Sequence, residues 1–115
     1  MENRPSIRKC SALITVAAAN TAQTLYQRTT NTTNPRTVIL RKIQAYNAVG
    51  ATTLSIGTGL LAAYAAQWPT FRLVNNMDNV WEADEIVEVE LGGDLTVQTD
   101  VLGVVIRVEV EEIGS

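Results

Sequence analysis

The chain contains no histidine. That removes the commonest general base and the commonest metal ligand. Serine–histidine and cysteine–histidine nucleophilic systems are excluded within one chain. There is one cysteine, Cys10, so no intrachain disulfide can form, and zinc would find one thiolate and no imidazole. A lone thiol fits a reducing compartment, and the arm around Cys10 offers it no base, so no function is expected of it. Charged residues make up only 18% of the chain, which suits a surface partly covered by a partner. No long hydrophobic run is present. The most apolar stretch, "LLAAYAA" at 60–66, is too short to span a bilayer, and the polar start does not read as a secretory signal. No phosphate-binding glycine fingerprint occurs: "GTG" at 57–59 lacks the continuation, and "LGGD" reads as a hairpin turn.

What is present is 115 residues, 46% of them hydrophobic, enough for one core. The net charge of −3 conceals a division. Residues 1–57 carry seven basic side chains against one acid; residues 58–115 carry eleven acids against two basic side chains. Such a split can signal a nucleic-acid arm, an acidic tail, or faces that attract each other between copies.

Residues 1–11, with Pro5 and no period, read as an extended N-terminal arm, and 12–115 as one domain. "SALITVAAANTAQTLYQR" gives a strand signal through Ile14, Val16 and Ala18. "TTNTTNP" is a loop. "RTVILRKIQAYNAVGATTLSIGTG" reads as a hairpin closed at "NAVGA", with Arg41 out of phase, which predicts a bulge or an interface position. "GTGLLAAYAAQW" reads as a helical turn or two or an apolar loop, "PTFRLVNN" as a short strand and "NNMDN" as a turn. The acidic third, "DEIVEVELGGDLTVQTDVLGVVIRVEVEEI", reads as three strands. Their inward set is Val87, Val89, Leu91, Leu95, Val97, Val104, Ile106, Val108 and Val110, and Glu88, Glu90, Arg107, Glu109 and Glu111 face out. These elements predict an all-β domain of about seven or eight short strands, a sandwich or barrel.

Carboxylates are the remaining candidates for chemistry. Glu88, Glu90, Glu109 and Glu111 would form an acidic patch, but acid–base work needs one of them buried, and alternation puts them in water. Asn75, Asn76, Asp78, Asn79, Glu82, Asp84 and Glu85 gather oxygen ligands of the type calcium takes, without the spacing or glycine of the twelve-residue calcium loop. A turn capping strands is the plainer reading. Arg4, Arg8 and Lys9 lack interleaved aromatics, which argues against nucleic acid. Trp68, Trp81, Tyr26, Tyr46 and Tyr64 would line a sugar-binding surface if exposed together, and would be core or interface anchors if buried.

"TVILRKIQAYNAVGATTLSIGTG" followed by the acidic three-strand ending resembles small β-sandwich proteins on tailed-phage particles, over about residues 36–113. The resemblance implies a jelly-roll-like single sandwich with an N-terminal arm, a capsid decoration (cement) protein on the virion surface, made in the bacterial host cytoplasm. It implies a major capsid protein lattice and copies of itself, as a trimer or dimer, as partners, with no cofactor, no nucleic acid and no membrane. Candidate contact residues are Arg4, Arg8, Lys9, Arg41, Leu60, Leu61 and Tyr64. A carbohydrate-binding or host-recognition module and a head–tail or tail component are the alternatives.

Overall fold

The computed structural model describes residues 6–28, 37–47 and 52–114. Met1–Pro5, with Arg4, the "TTNTTNP" loop and the turn at 48–51 lie outside the described residues. Ten strands are described: β1 (Ser6–Thr15), β2 (Gln23–Tyr26), β3 (Thr37–Asn47), β4 (Thr52–Thr58), β5 (Ala65–Ala66), β6 (Phe71–Leu73), β7 (Met77–Trp81), β8 (Glu90–Leu91), β9 (Leu95–Thr99) and β10 (Val105–Gly114). Two 3₁₀ turns, Leu61–Ala63 and Ala83–Glu85, interrupt them.

The strands form two antiparallel sheets packed as a sandwich. The first runs β1-β10-β3-β7, with β8 also on β3; the second runs β2-β9-β4-β5, with β6 also on β4. The chain crosses repeatedly between the sheets, as in a jelly roll, while β4, β5 and β6 run together in the second sheet and β7 and β8 in the first. The all-β expectation therefore holds.

The core lies between the sheets. Ile106, Val108 and Val110 of β10 face Leu54 and Ile56 of β4 and Leu95 and Val97 of β9 across it, all buried. Period-2 alternation explains this: between those inward residues, Arg107 and Glu109 are exposed. Gly57 is required by close packing. A Cβ there would stand 2.0 Å from the Ala65 carbonyl oxygen, on the strand that pairs with it.

Five expectations are corrected. Ser6–Ser11 are not an arm but the first part of β1, paired with β10 down to Ser6↔Gly114. The inward period there runs through Cys10 and Ala12, small side chains that give a weak hydrophobic signal. The hairpin at 36–59 is not one: β3 pairs with β10, β7 and β8, and β4 with β9, β5 and β6. Long-range pairing, not sequence adjacency, decides the neighbours of both strands. "NNMDN" turns only at Asn75–Asn76; Met77 already begins β7. Residues 86–89 leave the sheet after a 3₁₀ turn, so Val87 is 67% exposed instead of buried. Glu111 is half-buried, not on a fully solvated face.

The anomaly at Arg41 is a bulge. Glu109 pairs with Lys42 and Val110 with Leu40, which leaves Arg41 as the extra residue. The bulge lets Val38 and Leu40 on one side, and Ile43 and Ala45 on the other, all face the core.

Candidate functional site

The charge division seen along the chain closes up within the first sheet. Acidic β10 lies between basic β1 and β3. Lys9 stands opposite Glu111, and Lys42 opposite Glu109. The bulge aims Arg41 at two acids: Nη1 donates to Glu88 Oε1 at 2.8 Å and Nε donates to Glu111. The hydrogen bond to Glu111 is the main cause of a raised Arg41 pKa; desolvation opposes it and Glu88 adds to it. Lys42 Nζ lies 3.8 Å from both Glu82 and Glu109. These pairs are partly exposed, so each adds little stability.

This arrangement answers the acidic face. Glu88, Glu109 and Glu111 are engaged by Arg41 and Lys42 of the first sheet. A shallow depression beside β1 is lined by Lys9, Cys10, Arg41, Glu109, Val110 and Glu111, and it combines both signs of charge.

The candidate contact residues divide. Arg8 and Lys9 are exposed on β1 and Arg41 is on β3, all in the first sheet. Leu60, Leu61 and Tyr64 lie in the connection between β4 and β5, in the second sheet. There the backbone turns through positive φ at Gly59 and Leu61 and leaves Leu61 76% exposed. Tyr64 is half-buried, and its hydroxyl shares a 2.5 Å hydrogen bond with Ser55 Oγ. The structure does not bring the two groups into one site.

Burial raises the Tyr64 pKa and the Ser55 bond partly offsets it. The folded protein thus keeps this proton to higher pH than the unfolded chain. The associated stability is intact below about pH 10, the ordinary tyrosine value, and is lost as pH rises through the raised value. Tyr64→Phe should make the urea midpoint less dependent on pH above 10. An unchanged slope between the two proteins would contradict this.

Two buried polar residues have structural partners. Glu112 continues the inward period of β10 and is fully buried, where Tyr26 donates its hydroxyl to Oε2. The signal was available: 106, 108, 110 and 112 share one parity. Asn79, expected among calcium-type ligands, is buried on β7. Its Oδ1 accepts from Val74 N at 2.8 Å, and its Nδ2 donates to the carbonyls of Ala45, Val74 and Met77 at 3.1–3.2 Å. Glu82 and Glu85 close a reciprocal cap on their 3₁₀ turn. Among the described residues no three acidic or thiol side chains gather as a metal site.

All the aromatic residues are described, and they do not form an exposed cluster. Trp68 is buried with Nε1 donating to Val87 O at 2.7 Å; Phe71 and Trp81 meet edge-on at 5.0 Å; Tyr26 and Tyr64 are half-buried. Tyr46 alone is well exposed.

The described residues thus form a two-sheet, jelly-roll-like sandwich. No family model and no curated protein sequence matches the chain. Solved structures do. One is from the T13 particle of infectious bursal disease virus, at TM-score 0.58 and 11% identity, covering 97% of this chain and 31% of that one. A second, from the Gx strain of that virus, gives TM-score 0.56 and 11% identity over 97% of this chain and 33% of that one. A third is from Bacillus endospore appendages, described as disulfide-linked pili, at TM-score 0.54 and 14% identity, covering 96% of this chain and 89% of that one. The chain thus spans about a third of each of the two viral chains. At these identities the likeness establishes the fold.

Proposed function

We propose that this protein is a non-enzymatic structural subunit of a virion, bound to a capsid lattice together with copies of itself. The observation that carries the reading is the sandwich itself, which superposes on a chain of a viral particle over 97% of its length. Two further features support it. Lacking histidine and any exposed aromatic cluster, the chain has little equipment for catalysis or sugar binding. Glu88 and Glu111 of its acidic patch are engaged by Arg41. The finer form of the proposal is a decoration protein on the outer surface of a phage head, with exposed Leu60 and Leu61 as contacts. Multivalent attachment to a symmetric lattice raises avidity without new chemistry.

A second reading is a fibre subunit. It is favoured by one observation: the chain covers 89% of the pilus chain, a whole subunit, and only a third of the viral ones. Electron microscopy separates the two. The protein added to purified particles should decorate shells at regular positions. Fibres formed by the protein alone, with bare shells, would favour the second reading.

A further inference from the structure

We propose that β1 is a self-association edge, through which two copies pair their β1 strands antiparallel about a two-fold axis at Cys10. The proposal gives a surface to the self-association invoked above, and rests on that part of it.

The edges of the two sheets differ. In the second sheet, β5 and β6 are two and three residues long, and four-residue β2 is broken by a register shift. Short and interrupted edges resist pairing with another chain. β1, by contrast, runs ten residues without a register shift and pairs only with β10 among the described residues. Its outer face carries Ile7 at 60% and Leu13 at 65% exposure. A long edge strand with exposed apolar side chains is a template for another strand.

The backbone phase identifies which groups are offered. Val16 N donates to Val104 O, and Gly103 N donates to Val16 O, so even-numbered residues turn their backbone groups toward β10. In the unbroken ladder, the odd-numbered residues Ile7, Lys9, Ser11 and Leu13 turn theirs to the open edge.

The side chains then select one register. Directly opposite residues must share a face, which excludes half the alignments. Centring on Lys9 would set Lys9 against Lys9. Centring on Ser11 would set Leu13 against Lys9. Centring on Cys10 sets Ile7 against Leu13 of the second copy, Lys9 against Ser11 and Arg8 against Ala12. That alignment covers both exposed apolar residues and opposes no like charges. It joins the two first sheets into one continuous sheet.

Cys10 is the reporter. At the axis the two cysteines form a non-hydrogen-bonded pair, with Cα atoms about 4.5 Å apart, within disulfide reach. Diamide would accept two electrons and two protons as the S–S bond forms between them. Cys10 is a free thiol in the isolated chain.

The test uses the full chain without any lattice. Sedimentation should give a species of twice 12.5 kDa, and diamide should trap it as a covalent dimer on a non-reducing gel. Cys10→Ser should abolish trapping and keep the sedimenting dimer. Ser11→Pro removes one edge-facing N–H and leaves the β10 ladder intact, so it should return the protein to monomer with its circular dichroism unchanged. Should Ser11→Pro fail to fold, Leu13→Lys, on the exposed face, should weaken the dimer about tenfold or more. A wild type that stays monomeric and untrapped, a trimer, or a dimer indifferent to Ser11→Pro and Leu13→Lys would overturn the proposal. Failure to bind shells, with the dimer intact, would count against the virion role alone.

Discussion

Asn79→Ala should lower unfolding free energy by about 2–4 kcal/mol, because a buried backbone donor and several carbonyls lose their partner at once. The Asn79 amide ties the Val74–Met77 turn to Ala45 of β3, at the point where the chain leaves β6 in one sheet for β7 in the other. Asn79→Asp sharpens the test. The carboxylate keeps an acceptor for Val74 N but faces three carbonyls with no proton to give them. It should destabilise at neutral pH at least as much as alanine does. A calcium ligand would behave in the opposite way: Asp would strengthen binding, and calcium would raise the melting temperature of the wild type. Denaturant unfolding of the three proteins, with and without calcium, decides between these roles.

Ile106→Ala should cost about 2–5 kcal/mol, while Val87→Ala should change stability by no more than about 0.5 kcal/mol. Sequence alternation gives both residues the same inward assignment. The structure separates them: Ile106 is fully buried in the middle of the core cluster, and Val87 lies 67% exposed outside any strand. Comparable losses from the two substitutions would mean that residues 86–89 extend a paired strand after all.

The difference between those two valine- and isoleucine-bearing segments shows what was legible. Where alternation coincides with a strand paired on both sides, as in β9 and β10, the period gave both strand and face. The same period in "EIVEVE" was misleading, because the 3₁₀ turn at Ala83–Glu85 delivers the segment away from the sheet until Glu90. β1 was read late by six residues because Cys10 and Ala12 fill inward positions with little hydrophobic signal. Partner choice was not legible at 36–59. A good turn between two good strands looks the same whether they pair or cross between sheets, and only the burial needs of the whole sandwich decide. Arg41 was visible as an anomaly, and its bulge explains it. The charge division was visible too, but its meaning depended on topology: β10 lies between β1 and β3, so opposite charges separated by most of the chain become neighbours. The spatial grouping of the candidate contact residues was not legible, since exposure alone joins Lys9 on β1 of the first sheet with Leu61 in the β4–β5 connection of the second.

Density-gradient fractionation of the source material, with the chain quantified in every fraction, tests the proposed role as a repeating structural subunit. Most of the protein should sediment with a large particle, in a fixed ratio to that particle's main shell protein. Recovery of nearly all of it at the top of the gradient, apart from any particle, would overturn that role.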